Sequence, residues 1–383
     1  MSKINDLIKK LCPNGVKYLY LKDISIMQRG QSITSKELST GTIPVVAGGQ
    51  EPSFYNDKYN REGETITVSS SGAYAGFINY WNQPILCTDS FSIKSDNMCV
   101  KYLYYFLKMN QNEIYNKKKG AGIPHVHISD LENIKIPVPP IEVQKEIVQI
   151  LDKFGKLEAE LEAELEARKS QYEFWRGKLL ENSKDKVKFG DIATIVRGGS
   201  PRPIQNFITT DDNGIPWIKI GDTNPNDKYV VATKEKITVD GSKKSRFVKA
   251  GDFILSNSMS FGRPYILKID GCIHDGWLSI SNYEDTYIPD FLYHLLSSKS
   301  IQDTMAMKAS IGTVKNLNAD IVKSIELPLY TKVEQEKIVR ILDKFEELTN
   351  DISVGLPAEI ELRRQQYEYY RNKLLSFKEL EAN

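Results

Sequence analysis

The chain has 383 residues, 40 % of them apolar and 26 % charged, with a net charge of +1; this composition belongs to a globular chain with room for two or three domains and excludes wholesale disorder. No run of eighteen uncharged apolar residues occurs, and charges interrupt the short apolar stretch near the start, so neither a membrane span nor a secretory leader is expected and the cytoplasm is the expected location. Cys12, Cys87, Cys99 and Cys272 are far apart with no CxxC pair, which leaves a disulfide framework or a zinc ribbon without support.

Residues 1–140 contain short β-like runs, TITVSSS and GFINYW among them, punctuated by Gly, Pro and Asn, and an amphipathic stretch, VKYLYYFLKMNQNEI; together they read as an α+β domain. Pro137, Pro139 and Pro140 then announce a helix, because proline is tolerated before or at a helix start and not inside. Across 141–182, steps of four and three pick out Ile147, Leu151, Phe154, Leu161, Leu165, Tyr172, Trp175 and Leu179, a coiled-coil seam on a rod of about 60 Å. Residues 183–328, with PWIKI, KYVVA, DFILSN and then PDFLYHLLSSKSIQDTMA, read as a second α+β domain. Residues 329–383 carry a second seam, Ile338, Leu342 and Phe345, which slips by four residues before resuming at Arg363, Tyr367, Tyr370 and Leu374. Gly355 and Pro357 fall in the slip and predict a kink or a break there.

The chain repeats itself. IEVQKEIVQILDKF at 141–154 returns as KVEQEKIVRILDKF at 332–345, and RKSQYEFWRGKLL at 168–180 as RRQQYEYYRNKLL at 363–375. Fainter echoes align LKDISIMQRGQSIT from Leu21 with FGDIATIVRGGSPR from Phe189, and HISDLENIKIPVPP from His127 with NLNADIVKSIELPL from Asn316. A period of about 190 residues is a duplicated domain plus helix, far beyond any solenoid repeat. Each stripe needs a partner, and the matched pair is expected to form an intramolecular antiparallel coiled coil. Net charge follows the same division: +4 in 1–140, −3 in 141–182, +2 in 183–328 and −2 in 329–383. Mildly basic domains alternate with acidic helices, as in a molecule offering two surfaces to a polyanion, although ordinary scatter of surface charge explains differences this small equally well.

The motifs of catalysis are missing. Neither a GxxxxGK[ST] loop nor a strand-linked GxGxxG is present to cradle phosphates, and no ExK or DxK occurs that would hold metal and water in a nuclease of the paired-carboxylate kind. An amino-methyltransferase tetrapeptide [ND]PP[YF] is absent, and there is no GxSxG elbow. His125 and His127, with Asp130 nearby, have a spacing that places two imidazoles on one face of a strand, but an ordinary structural role, or contact with phosphates beside Lys117–Lys119, fits them better than a metal site. No catalytic residue, metal ligand or cofactor is therefore expected in this chain.

Basic and small polar residues cluster instead beside glycines: Ser69, Ser70, Ser71 and Tyr74, then Lys117, Lys118, Lys119 and His125 in the first half. The second half offers Arg197, Arg202, Lys243, Lys244, Arg246, Ser256, Asn257, Ser258, Ser260, Arg263, Lys308 and Lys315. These are the residue types that position phosphates and read base edges, since small residues let backbone approach and forked side chains discriminate bases.

The segments PVPPIEVQKEIVQILDKF with LEAELEARKSQYEFWRGKLL, and ELPLYTKVEQEKIVRILDKF with LPAEIELRRQQYEYYRNKLL, resemble the two conserved helical regions of the specificity subunits of type I restriction-modification systems. GETITVSSSGAYAGFINYW and ILSNSMSFGRPYILKIDGCIHDGWL are similar to parts of that family's target-recognition domains, so the resemblance covers essentially the whole chain. It implies an α+β chain with recognition domains at 1–140 and 183–328, separated by two long helices, 141–182 and 329–383, in a pseudo-twofold tandem repeat. Each domain would read one half of a bipartite, asymmetric double-stranded DNA site, with the helices setting the gap. The chain itself would be non-catalytic, and would recruit two methyltransferase subunits carrying S-adenosylmethionine and two restriction subunits using ATP and Mg. The resemblance makes the acidic helices the methyltransferase docking surface, with Phe154, Tyr172, Trp175, Phe345, Tyr367 and Tyr370 as anchors. Two other readings stand beside it: a coiled-coil adaptor whose domains bind proteins, which would lack salt-dependent DNA binding, and a self-contained DNA-modifying enzyme, which would methylate or cleave DNA unaided.

Overall fold

The computed structural model describes residues 2–34, 39–120, 122–224, 227–257, 261–310, 317–350 and 354–381. Two compact units emerge: Met1–Glu162 with Glu359–Asn383, and Ala163–Ala358. No described helix is long and apolar enough to cross a membrane.

The first unit opens with α1 (Ser2–Leu11), β1 (Lys17–Tyr20), α2 (Leu21–Ile24) and β2 (Ile26–Arg29). Then come β3 (Ile43–Val46), β4 (Phe54–Asn56), β5 (Thr65–Ser69), β6 (Ile78–Trp81), β7 (Leu86–Cys87) and β8 (Ser90–Lys94). Short helices α3 (Val100–Met109), α4 (Gln111–Tyr115) and α5 (Ile128–Leu131) lead to β9 (Lys135–Val138) and the 40-residue α6 (Ile141–Leu180). Antiparallel pairing arranges one sheet as β2-β8-β5-β6, while β4-β3-β7 form a second and β1-β9 a third. The β-branched run of β5 is buried at all five positions, as a central strand covered on both faces requires. Ile66, Val68, Phe91 and Ile93 from the sheet meet Leu103 and Leu107 of α3, together with Val143, Ile147 and Leu151 of α6.

The second unit repeats this topology. Its elements are β10 (Lys186–Lys188), α7 (Phe189–Ile192), β11 (Thr194–Arg197), β12 (Ile208–Thr209), β13 (Ile215–Ile218), β14 (Tyr229–Val230), β15 (Glu235–Ile237), α8 (Val239–Ser242) and β16 (Arg246–Val248). They continue with β17 (Phe253–Ser256), β18 (Pro264–Leu267), β19 (Gly271–Ile273), β20 (Trp277–Ser281), α9 (Pro289–Leu296), α10 (Lys299–Ser310), α11 (Ala319–Lys323), β21 (Glu326–Pro328) and α12 (Lys332–Asn350). The order β11-β20-β17-β18 reproduces β2-β8-β5-β6, β15-β13-β19 reproduces β4-β3-β7, and β10-β21 reproduces β1-β9. Strands β14, β12 and β16 are additions at sheet edges. Register is kept too: Val68 and Arg29 face Phe91 as Leu255 and Arg197 face Leu278.

The helical repeats hold each unit together in the same way. Within the first, Phe154 lies 6.2 Å from Tyr367 and 5.6 Å from Tyr370 of α13 (Leu356–Leu375), while Arg364 reaches Glu158 at 2.6 Å and Glu162 at 2.5 Å. Numbers rise along α6 as they fall along α13, so the pair is antiparallel. Within the second, Tyr172 meets Phe345 at 6.1 Å and the Tyr330 hydroxyl donates to the Leu179 carbonyl, again antiparallel. Helix α12 ends at Asn350 and α13 begins at Leu356, which is the break expected around Gly355 and Pro357. Buried Gln144 accepts from the Cys99 N–H and donates to the Pro139 carbonyl; buried Gln335 accepts from Ile288 and donates to Tyr330. One glutamine per copy thus ties the long helix to the start of α3 or α9.

Candidate nucleic-acid interface

In the first unit the two clusters singled out by sequence meet. Ser69 is buried in β5, and Ser70 to Tyr74 form the turn that follows. The Val126 N–H donates to the Ser70 carbonyl at 3.0 Å and Gly72 to Pro124 at 3.0 Å, while Lys119 and His125 exchange backbone bonds of 2.9 and 2.8 Å. Lys118 donates to the Ala73 carbonyl at 3.1 Å and lies over the Tyr115 ring. Ser71 donates its hydroxyl to Asp89, in the β7–β8 turn. Tyr74 is exposed, and so is Lys119, whose ammonium pairs with Asp130. Burial pushes the Asp130 carboxyl up, but the Lys119 ammonium and the His127 N–H hold it below its ordinary range. Asp130 caps α5, and the His125 and His127 rings stack 6.0 Å apart. Lys117 is half-buried, its N–H on the Ile114 carbonyl.

In the second unit Asp275 gathers the loops. Its carboxylate accepts from Ser200 Oγ at 2.8 Å and pairs with Arg202 at 3.3 Å; its carbonyl accepts from Arg197 Nε at 3.0 Å and Asn257 Nδ2 at 2.8 Å. The Ser200 bond, outweighing partial burial, lowers the Asp275 pKa. Ser245 Oγ donates to the Gly199 carbonyl at 2.6 Å, which brings the Lys243 to Arg246 segment to the same turn. Lys243, Lys244 and Arg246 are exposed; Lys243 pairs with Asp240 and Lys244 lies 4.7 Å over the Phe207 ring. Ser256 is buried in β17 and accepts from the Arg263 N–H. Arg263 is half-buried and lines a cavity of about 840 Å³ with Arg176, Tyr293 and Gln302. Lys308 is tied to Ser324 at 2.9 Å. Ser258, Ser260 and Lys315 lie outside the described residues.

The six aromatic candidates on the helices divide by burial. Tyr367 and Tyr370 pack against the core of the first unit and Phe154 rests on their rings, while Tyr172 and Phe345 pack into the second. Trp175 is 36 % exposed and touches Phe174, 62 % exposed, edge to face at 5.5 Å. Among the described residues one trio brings metal-ligating atoms together, His294, Asp343 and Glu346. There the buried His294 Nε2 bonds Asp343 at 2.7 Å, the place where Tyr105 bonds Asp152 in the first unit, and this contact fastens α9 to α12.

The model of the type I restriction modification DNA specificity domain matches residues 13–167 and again 181–362. The chain belongs to that specificity family. It is 30 % identical to the EcoR124I/EcoR124II specificity subunit of Escherichia coli over 98 % of each chain. A solved chain from work on assembly of the type I restriction-modification system shares the fold with a TM-score of 0.66 at 18 % identity, over 95 % of this chain and 98 % of that one. The S subunit from M. genitalium does so with a TM-score of 0.54 at 17 % identity, over 94 % and 96 %. Each of the two matched segments supplies most of one α+β unit, so the family's domain occurs twice in this chain. Within this specificity chain the geometry adds residues the sequence reading passed over: Arg29, Asp89, Asp275 and Phe174. The LKDISIMQRGQSIT echo already aligned Arg29 with Arg197, whereas the two aspartates are separated in sequence from most of what they hold.

Proposed function

We propose that this chain reads DNA for a type I restriction-modification complex, each recognition domain contacting one half of a bipartite, asymmetric site. One observation carries this reading. Both units present, at the same topological position, the turn after β5 or β17, the end of β2 or β11, and an aspartate-bearing turn, while the side chains displayed there differ, Ser70 and Ser71 in one and Arg202 in the other. A shared scaffold with unlike polar surfaces is what two different half-sites require. The DNA-contacting set in this proposal comprises the exposed members of the clusters above, with the buried Ser69, Ser256 and Asn257 shaping the loops that carry them.

The long helices set the gap between half-sites and recruit methyltransferase subunits. Those bring S-adenosylmethionine and flip the target adenine, and the restriction subunits bring ATP and Mg; this chain performs no chemistry. Exposed Trp175 and Phe174 are the aromatic anchors offered to the methyltransferase, while the packed Phe154, Tyr172, Phe345, Tyr367 and Tyr370 keep the helices in position. Exchanging residues 1–140 for those of another family member tests the reading: methylation by the complex should change at one half-site and be retained at the other. Change at both would contradict modular readout. Replacing Phe174 and Trp175 by Ala should abolish co-purification with the methyltransferase, and undiminished assembly would remove those two residues from the interface.

A further inference from the structure

The two recognition domains differ at most loop positions, yet both end an outer strand in Arg-Gly: Arg29-Gly30 after β2 and Arg197-Gly198 after β11. The backbone there is held identically. Gly30 donates to the Ser90 carbonyl at 2.7 Å and Gly198 to Trp277 at 2.9 Å, while Gln31 and Gly199 donate to Cys87 and Ile273. A Cβ on either glycine would run into a carbonyl oxygen, that of Thr88 or of His274. The arginine Cα is therefore fixed by main-chain packing, independently of the side chains that distinguish the two domains.

Both arginines are exposed with donors to spare. Among the described residues the Arg29 side chain makes no hydrogen bond or ion pair, and Arg197 uses its Nε as a donor to the Asp275 carbonyl while its charge also acts on the Asp275 carboxylate, leaving its terminal nitrogens without a hydrogen bond among the described residues. Arg61 lies beneath Arg29, 6 % exposed, and donates to Ser92 Oγ at 2.7 Å, the Asn60 carbonyl at 2.7 Å and the Arg29 carbonyl at 2.9 Å. These acceptors and the more distant Gln28 carbonyl, at 3.5 Å, are all neutral, and no carboxylate among the described residues pairs with Arg61. A buried cation without a counterion next to an exposed one makes a local field that favours an anion.

The geometry points to Arg29 and Arg197 as equivalent phosphate-binding residues, each gripping the DNA backbone beside its half-site without reading a base. This rests on the DNA-reading function proposed above and adds a division of labour to it. What two differently specified domains have in common meets what all DNA has in common, and what differs between them meets the bases. The planar guanidinium fork suits a phosphodiester, which accepts two parallel N–H bonds.

The test uses the chain in complex with its methyltransferase subunits, comparing Arg29→Gln, Arg197→Gln and the charge-preserving Arg29→Lys. Affinity for a cognate and an unrelated duplex is measured across a salt series, and the methylated motif is read by sequencing. Each Gln variant should weaken binding to both duplexes by a similar factor, reduce the slope of log affinity against log salt by about 0.9, and leave the motif unchanged at both half-sites. Arg29→Lys should restore the slope. An unchanged slope, or a motif relaxed at one half-site, would overturn the assignment, the second because the arginine would then be reading a base. If the unsubstituted complex binds DNA without salt dependence, the DNA-reading function itself fails and the pair with it, an outcome distinct from the other two.

Discussion

A methyl group added at Gly198 would meet the His274 carbonyl, so Gly198→Ala must displace the strand end that carries Arg197. Overpacking of this kind costs about 1–3 kcal/mol, and denaturant unfolding should show a loss in that range. Gly122→Ala, where nothing lies within 4 Å of the new carbon, should be nearly neutral. His274 makes a second prediction. Burial lowers its pKa from 6.5, and the N–H groups of Ile220 and Gly276 face its ring nitrogens at 3.2 and 2.6 Å, an arrangement that a doubly protonated ring opposes. A depressed pKa means that the unfolded chain takes up the proton first, so this contribution to stability is complete above about pH 6.5 and is lost as pH falls through the folded value. Stability measured by unfolding followed through tryptophan fluorescence should therefore fall more steeply below pH 6.5 in the parent than in His274→Gln; parallel pH profiles would contradict it. At this scale the sequence exposed chemistry but not partnership. Lys117–Lys119 and Ser69–Ser71 were recognisable as polar clusters, but Asp275 was not, because its partners Arg197, Ser200 and Arg202 are 73 to 78 residues away and only strand pairing brings them to it.

The long helices were legible as elements because heptad spacing is local and survives on one strand of text. The seam positions Ile147, Leu151 and Leu342 are fully buried, and the slip at Gly355 and Pro357 is a true helix break. The recognition domains were legible only as scattered short strands, since sheet order depends on pairings between distant residues that no local period encodes; Val45 with Leu86 and Trp217 with Cys272 are parallel pairs of this kind. The duplicated glutamine shows what the repeat adds. Gln144→Leu or Gln335→Leu would leave the buried-side N–H of Cys99 or Ile288 without its acceptor, a penalty of about 1–3 kcal/mol, and thermal unfolding should register similar losses for the two. By contrast Arg364→Ala, which removes ion pairs that are half-exposed, should cost less than about 1 kcal/mol. A loss from Gln335→Leu no larger than that from Arg364→Ala would contradict the clasp.

Across the whole molecule, one duplicated plan serves two tasks. Helical segments are nearly the same in both copies, IVQILDKF against IVRILDKF, because each must fasten a recognition domain to the long helices through the same contacts. On the function proposed above, the loops diverge because each would meet a different DNA half-site, and the missing catalytic motifs fit chemistry performed by other subunits. The central claim, that two unlike domains specify one split DNA site for methylation, is tested most directly by mapping N6-methyladenine across the host genome with and without this gene. The account predicts loss of a single motif made of two short, different specified parts around a fixed gap. A map unchanged by the deletion in a host whose partner methyltransferase is expressed and active, or loss of a continuous palindromic motif, would contradict it.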